Sequence, residues 1–314
     1  MVLMIRIEQP QFTWIHIDNP TRQSIEALQQ EYHFHELMVE DLVELSGENK
    51  VEYYDEDDGQ AVSLLMNFPK YDNTSEKYVH NPFIIIVSSK YIISVSKYTS
   101  KDMDKFAHIA EHKNYLQGDD STPTFDLMYD IIDLMYDKSI KWLKKSSHEI
   151  LTLQDHLDKP SMLTRKTLED LMGKKINIVV LQHIFRPQRQ LLHELKWVIK
   201  TVLNTDKEDT EDIHMYVDDL DAKLDNIIDQ TSLLYETIKS LSDTYRSLID
   251  LQTNQIVTRL TMVTVATGIM SVVGWFFGMN VPIPGHTISY MFFAIVIGSV
   301  ALIWIGYRLL KQKW

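Results

Sequence analysis

The tripeptide Gly278-Met279-Asn280 is the part of this 314-residue chain whose residue types and position point most directly to chemistry. It follows one apolar segment and precedes another, and the connection after it, residues 281–287, has no room for a folded domain. Such a connection is either a simple turn or a working part of the protein. If several copies of the chain meet around an axis, this turn lies at the mouth of a pore.

The two apolar segments that flank the tripeptide are residues 260–277 and 288–310. Each has about the ~20 residues that a helix needs to cross ~30 Å of hydrocarbon. The cations at their other ends are Arg259, Arg308, Lys311 and Lys313, and the connection between the segments contains no Lys or Arg. The positive-inside rule therefore predicts a multi-pass protein of the cell (inner) membrane with both termini in the cytoplasm. The alternative is a pair of buried core helices in a soluble enzyme.

Composition narrows the classes of function. The formal charge is −13 and there is no cysteine, which argues against disulfide staples and fits a reducing cytosol. An acidic balance disfavours nucleic acid as a partner and suits cations. The sequence has no glycine-rich phosphate-binding loop. We therefore expect no ATP-driven transport, no organic cofactor and no enzymatic activity.

The rest of the chain divides into segments of different character. Short runs rich in β-branched and aromatic residues predict strands, and three- to four-residue apolar spacing predicts helices. The predicted strands are 5–7, 12–17, 61–68, 83–88 and 91–95, and the predicted helices are 21–32, 34–45, 125–157, 162–185 and 188–204. The predicted domains are an α/β cytoplasmic domain (1–120), a helical cytoplasmic region (121–210), a long stalk helix (211–280) whose part at about 258–278 is the first span, an outer loop (281–287), a second span (288–310) and a cytoplasmic tail (311–314).

The stalk is predicted from a long stretch without helix breakers. Between Gln188 and Thr267 the chain contains neither proline nor glycine. After a polar interruption at 204–210, apolar residues recur at nearly 3.5-residue spacing, which is typical of a helix packed along its length. They are Ile213, Val217, Leu220, Leu224, Ile227, Leu234, Ile238, Leu241, Tyr245 and Leu248. A helix from about 212 to 280 would be on the order of 100 Å long, so we expect it to pack in an oligomer, an intramolecular bundle, or both.

A rival metal motif lies at His108-Ile109-Ala110-Glu111-His112. Two imidazoles four residues apart with a carboxylate beside them are similar to inverted zinc-peptidase motifs. A catalytic zinc ion needs a third protein ligand and a pocket, and the neighbouring sequence indicates neither of them. The favoured interpretation is an exposed polar helix face.

Several segments together resemble the CorA family of magnesium channels. Gly278-Met279-Asn280 matches the Gly-Met-Asn signature of that family, in its expected place between two C-terminal spans. The segments Trp14-Ile15-His16-Ile17-Asp18-Asn19-Pro20, Glu40-Asp41 and Phe185-Arg186-Pro187-Gln188-Arg189-Gln190-Leu191-Leu192 also resemble family segments. The resemblance covers essentially the whole chain.

The resemblance implies a fold class and a role for the signature. The expected fold is an α+β cytoplasmic domain with a long stalk helix and two transmembrane helices, assembled as a homopentameric funnel around a central pore. Five copies of Asn280 would form a ring of amide oxygens, which suits hydrated Mg²⁺ because that ion holds its waters tightly. Gly278 would let the backbone end the helix, and Met279 would pack to fix the turn, since a thioether is a poor ligand for a hard cation. The alternative is that Asn280 only caps a helix.

Further pore-lining candidates lie on one face of the helix that carries the first span. They are Asn254, Val257, Leu260, Thr264, Gly268 and Ser271. The resemblance places Asn254, Leu260 and Ser271 in the pore, with Asn254 as a second ring of oxygens. Leu260 and Val257 would form a collar that blocks ions by dewetting. Periodicity alone does not decide which face points inward, and Trp275 falls where the family often has a small residue.

Acidic residues are candidates for a regulatory metal site. Asp218, Asp219, Asp221, Asp225 and Asp229 crowd one stretch of the stalk, and Asp55-Glu56-Asp57-Asp58 forms a second cluster. The resemblance places an interfacial site near Asp218 or Asp219, and we include Asp221. Mg²⁺ bridging carboxylates of adjacent subunits would hold the closed form. A solvated surface is the alternative for both clusters, and the favoured one for the second.

The expected function is therefore a channel for Mg²⁺ influx down its electrochemical gradient, gated by intracellular Mg²⁺. The expected partners are other copies of the chain, membrane lipid and Mg²⁺, with Co²⁺ and Ni²⁺ as mimics. Two features depart from the family, since Phe277 stands where Tyr is usual and the loop 281–287 contains no acidic residue. The alternatives are a Zn²⁺ or Co²⁺/Ni²⁺ transporter, including a proton-coupled carrier, and a membrane-anchored coiled-coil scaffold.

Overall fold

The structure is a computed structural model that describes residues 3–56, 59–113, 115, 123–157, 164–202 and 207–278, together with positions 290, 293–294, 296–301, 304 and 308. Its strands are β1 (Leu3–Glu8), β2 (Thr13–Asp18), β3 (Lys50–Glu56), β4 (Gly59–Asp72), β5 (Lys77–Ser88) and β6 (Tyr91–Ser96). Its helices are α1 (Arg22–Tyr32), α2 (Glu36–Glu44), α3 (Lys101–His112), α4 (Pro123–Leu157), α5 (Arg165–Phe185), α6 (Gln188–Val202) and α7 (Lys207–Gly278).

The strands form one mixed sheet in the order β1-β2-β6-β5-β4-β3. The β2–β6 pair is parallel, with Ile15 opposite Ile93, and the other neighbours are antiparallel. Both faces of β2 and β6 are buried, although each strand carries polar residues among its apolar ones. On one face, Ile15 and Ile17 join a core with residues of α1 and α2. Thr21 caps α1 and accepts a hydrogen bond from the Ser24 amide at 3.2 Å.

The alternate residues of β2 carry a buried polar network. Trp14 Nε1 donates to Ser94 Oγ at 2.9 Å, and His16 bonds Ser94 through Nδ1 at 2.9 Å and Asp18 Oδ1 through Nε2 at 3.1 Å. Because an ionised carboxylate only accepts, the network assigns the Nε2–H tautomer to His16, with the Ser94 hydroxyl donating to Nδ1. Ser96 Oγ also donates to Asp18 Oδ1, at 2.5 Å. These bonds fix the register of the parallel pair from inside the core.

Three strand predictions differ from the structure. The edge strand β3 was not predicted, because its charged and polar residues hide the alternation of an edge strand. Strands β4 and β5 run beyond the predicted 61–68 and 83–88, because their antiparallel pairing continues through Pro69 and Pro82, residues that in a sequence suggest the end of a strand. Their hairpin ends at Asp72, whose carboxylate accepts from the Thr74 amide at 3.0 Å.

Helix α7 is continuous over 72 residues, as the breaker-free sequence predicts. The chain divides into two compact units, Met1–Ser242 and Asp243–Trp314. In the first unit the apolar stripe of α7 is buried within the chain, because Leu220, Leu224 and Ile227 have no exposed surface. The alternative of intramolecular packing therefore accounts for this part of the stripe.

The second unit contains the predicted first span. Among the described residues, one helical stretch, His214–Trp275, is long and apolar enough to cross a membrane, and its most apolar window has no buried residues. Leu260, Val263 and Trp275 are 65%, 60% and 71% exposed. Of the predicted second span, 288–310, the structure describes only some positions, and 296–301 among them are helical. Within the described residues, the apolar surface of α7 is therefore largely exposed in this unit.

Candidate functional site

The predicted mouth of the pore begins where α7 ends. Gly278 is the last residue of this helix, whereas Met279, Asn280 and the loop 281–287 lie outside the described residues. A Cβ atom added at Gly278 would meet no described atom within 4 Å. Packing among the described residues of one chain therefore does not require glycine here.

The six pore-lining candidates form a stripe along α7. Every one of them is helical and exposed: Asn254, Val257, Leu260, Thr264, Gly268 and Ser271. At 3.6 residues per turn they fall within a sector of about 120° and span about 26 Å of helix. The structure thus places them on one face without bringing them together at one point. They can enclose an ion only if several copies of α7 face a common axis.

Hydroxyl groups on this helix turn their hydrogens inward to the backbone. Thr264 Oγ1 donates to the Leu260 carbonyl at 2.9 Å, and Ser271 Oγ donates to the Thr267 carbonyl at 2.8 Å. Since each hydroxyl hydrogen is used within the helix, the oxygen lone pairs are left as acceptors. Acceptor oxygens match the water molecules of a hydrated cation, which present hydrogens outward.

The predicted collar lies in the N-terminal half of the stripe. Val257 is 54% exposed and Leu260 is 65% exposed. Both side chains are apolar and lie one turn apart, with Asn254 preceding them at the same spacing. The order along the helix is therefore amide, apolar pair, hydroxyl, glycine and hydroxyl. An apolar constriction between polar sections is the arrangement that gates pores by dewetting.

The acidic candidates on α7 have partners in the same chain. Asp218 forms an ion pair with Lys196 of α6, and Asp219 accepts from the Tyr129 hydroxyl of α4 at 2.7 Å. Burial and the bond to Asp219 raise the pKa of Tyr129 above its usual value, so this phenol stays a donor at neutral pH. Asp221 differs from both, because its Oδ1 is buried without a hydrogen-bond partner.

Two further ion pairs that involve residues of α7 were not predicted from the sequence. Arg189 pairs with Asp225, and Lys223 pairs with Asp133 on α4. Helical spacing shows which residues share a face of one helix, but it does not show which helices pack against each other. Among the described residues, no group of three His, Asp or Glu side chains in one chain could hold a metal ion.

The remaining sequence candidates lie elsewhere in the first unit. The side chains of Asp55–Asp58 are outside the described part of the chain. His108 and His112 are both exposed on α3, and His112 Nδ1 bonds the His108 carbonyl at 2.9 Å.

Comparison with known proteins gives a family and several relatives. The family described as CorA-like Mg²⁺ transporter protein matches residues 9–310. The cobalt/magnesium transport protein CorA of Thermotoga maritima is 23% identical over 308 residues, which cover 96% of this chain and 83% of that protein. The magnesium transport protein CorA of Helicobacter pylori strain 26695 is 20% identical over 318 residues, covering 98% and 92%.

Solved structures show the same fold. The complete structure of the CorA magnesium transporter from Methanocaldococcus jannaschii matches with a TM-score of 0.78 at 20% identity, covering 99% of this chain and 93% of that one. The full-length CmaX protein matches with a TM-score of 0.71 at 16% identity, covering 96% and 90%. The fold prediction, an α+β domain with a long helix that is apolar enough to span a membrane, is thereby confirmed. The match over residues 9–310 shows that the chain belongs to the CorA-like Mg²⁺ transporter family.

Proposed function

We propose that this protein is a homopentameric channel of the cell (inner) membrane that carries Mg²⁺ into the cytoplasm. The observation that carries the proposal is the exposed stripe of α7, in which the acceptor oxygens of Thr264 and Ser271 follow the apolar collar. The names of the relatives, which transport magnesium or cobalt and magnesium, agree with it.

The chemistry of the stripe suits a hydrated divalent ion. Mg²⁺ prefers octahedral oxygen and gives up its waters reluctantly. Neutral acceptor oxygens bind those waters without removing them, whereas a ring of carboxylates would bind the ion more tightly and slow its release. In the proposal, Asn280 forms the selective ring at the mouth, with Gly278 and Met279 shaping the turn. Co²⁺ and Ni²⁺ enter as mimics because their hydrated forms resemble that of Mg²⁺.

The membrane potential supplies the driving force. Both termini lie in the cytoplasm in this proposal, as the flanking cations indicate. A divalent ion that crosses an inward-negative potential gains about 4.6 kcal/mol per 100 mV, twice the value for a single charge. This gradient favours influx without a coupled reaction.

The proposed gate responds to intracellular Mg²⁺ at Asp218, Asp219 and Asp221. Asp218 and Asp219 are exposed on α7, and one carboxylate oxygen of Asp221 is unpartnered. Five copies would carry a formal charge of about −65, five times the −13 of one chain, so repulsion between subunits is strong when no cation is bound. Mg²⁺ between subunits would relieve the repulsion and favour the closed form.

The test is Mg²⁺ uptake into liposomes that contain the purified full-length protein. An inward-negative potential is imposed, and internal Mg²⁺ is kept low so that the gate is open. Asn280→Ala should abolish selective uptake while the oligomer remains intact. Thr264→Val should lower uptake about tenfold, because it removes a ring of acceptors worth about 1.4 kcal/mol in the barrier.

Thr258→Val is the matched control for Thr264→Val. Thr258 makes the same bond, to the Asn254 carbonyl at 2.8 Å, but lies about 100° from the centre of the stripe. Mg²⁺ uptake by the Thr258→Val variant should stay within about twofold of uptake by the natural protein. Equal losses in the two threonine variants would show that the stripe does not face the ion. Uptake of Zn²⁺ but not Mg²⁺ would indicate a zinc transporter, and no uptake of any ion would favour the scaffold.

A further inference from the structure

Helix α3 carries two exposed histidines, His108 and His112, which are not part of the proposed pore. We propose that His108 and His112 together bind a divalent first-row transition ion such as Ni²⁺, Cu²⁺, Co²⁺ or Zn²⁺. They lie four residues apart in a regular helix, Lys101–His112. Residues at this spacing are neighbours on one helix face, which is the arrangement by which two imidazoles share a zinc ion in helical motifs.

A backbone bond prepares one imidazole for the metal. His112 Nδ1 lies 2.9 Å from the carbonyl oxygen of His108. Because a carbonyl only accepts, Nδ1 must carry the proton, and the neutral ring then holds its lone pair on Nε2. Hydrogen bonds of this kind fix the tautomer and orientation of histidine ligands in metal proteins. His112 is therefore held in the form that binds a metal through Nε2.

The surroundings of the pair leave room for an ion. The buried side of α3 consists of Met103, Ala107 and Ala110, whereas His108 and His112 are exposed. His112 lies in the last turn of the helix, where the partial negative charge of the helix end favours a cation. Metal binding there requires no change in the packing of α3 on the rest of the unit.

The donor set decides which ions bind. Imidazole nitrogen suits Ni²⁺, Cu²⁺, Co²⁺ and Zn²⁺, while Mg²⁺ prefers oxygen. No third His, Asp or Glu joins the two histidines within the described portion of the chain. Water completes the coordination, so the bound ion exchanges readily. The site distinguishes transition ions from the Mg²⁺ that the pore is proposed to carry, and it does not depend on that proposal.

The experiment titrates the full-length protein in detergent with Ni²⁺, in the presence of saturating Mg²⁺ that occupies the oxygen sites. Calorimetry measures the affinity, and the electron paramagnetic resonance spectrum of one equivalent of Cu²⁺ reports how many nitrogen ligands it has. The natural protein should bind one Ni²⁺ per chain, and Cu²⁺ should show two imidazole nitrogens. His108→Ala and His112→Ala should each weaken Ni²⁺ binding at least about tenfold, as the loss of a metal-ligand partner does.

Two further variants test whether Ni²⁺ binding depends on the spacing of the two histidines or only on the number of histidines. Lys105→His combined with His108→Ala keeps two histidines on α3 but places them seven residues apart, about 10 Å along the axis, and should bind as weakly as His108→Ala. His193→Ala removes an exposed histidine of α6 with no histidine three or four residues away, and should bind as the natural protein does. Unchanged Ni²⁺ affinity in His108→Ala, or full binding by the displaced pair, would overturn the proposal.

Discussion

The Asp18 carboxylate is buried in the core, where an unpaired charge is costly. Asp18 is 1% exposed and lies beside His16, which is 0% exposed. Burial raises the pKa of Asp18, but hydrogen bonds from His16 and Ser96 outweigh that effect, and the pKa lies below the usual 3.8. A carboxyl whose pKa is lowered by folding stabilises the protein above its unfolded pKa. That stability is lost as the pH falls through the folded pKa.

We therefore predict that Asp18→Asn lowers the free energy of unfolding at pH 7 by about 2 to 3 kcal/mol, because it disrupts a buried bonded pair. The difference from the natural protein should shrink below about pH 4, where the unfolded aspartate takes up its proton. Urea unfolding of the full-length protein, followed by circular dichroism at pH 7 and below about pH 4, measures this difference in the free energy of unfolding. Asp170→Asn is the control, since Asp170 is half exposed and lies 3.9 Å from Lys174. A loss at pH 7 no larger than that of the control would contradict the assignment.

At the scale of the element, two faces of α7 have different environments within the first unit. Leu224 is 0% exposed in the first unit, whereas Leu233, nine residues later on the same helix, is 68% exposed. Leu224→Ala should lower the unfolding free energy by about 3 kcal/mol, through lost burial and the cavity that remains. Leu233→Ala should change it by less than about 0.5 kcal/mol. Denaturant midpoints of the two variants give the comparison, and similar values would show that α7 packs with a different face inward.

The sequence predicted some of these elements and missed others for physical reasons. The continuity of α7 follows from the absence of Pro and Gly between Gln188 and Thr267. The apolar repeat also predicted a packed stripe, but periodicity does not tell an intramolecular partner from another subunit. The structure shows that Leu220 and Leu224 are buried within one chain. Strand β3 was missed because its pairing is set by β4, a partner that no local pattern reveals.

For the candidate site too, features set by local helical spacing were predictable, whereas contacts between residues far apart in the sequence were not. The exposed stripe from Asn254 to Ser271 was predictable, because helical spacing alone fixes which residues share a face. The bonds of Asp218 to Lys196 and of Asp219 to Tyr129 were not, since they join residues 22 and 90 positions apart. Those partners change what the acidic residues are expected to do, since their charge is partly balanced before any metal binds.

At the scale of the whole molecule, the acidic charge and the proposed assembly belong together. A formal charge of −13 per chain disfavours close association of copies unless cations are bound. The ion pair of Asp218 with Lys196 leaves the Asp218 side chain 65% exposed. An exposed pair contributes little to stability, so the carboxylate remains available to a cation that approaches from a neighbouring subunit.

Replacing Asp218 and Asp219 by Asn should therefore weaken Mg²⁺-dependent closure with little loss of stability. In the liposome assay, raising internal Mg²⁺ should shut the natural channel, while the double variant should need at least about tenfold more Mg²⁺ for the same inhibition, since ligand loss weakens metal sites by that order. Asp229→Asn, on the same helix and also exposed, should close as the natural protein does. If the double variant closes at the natural Mg²⁺ concentration, the sensor lies elsewhere. If Asp229→Asn is impaired to the same degree, closure depends on total acidic charge rather than on these two carboxylates.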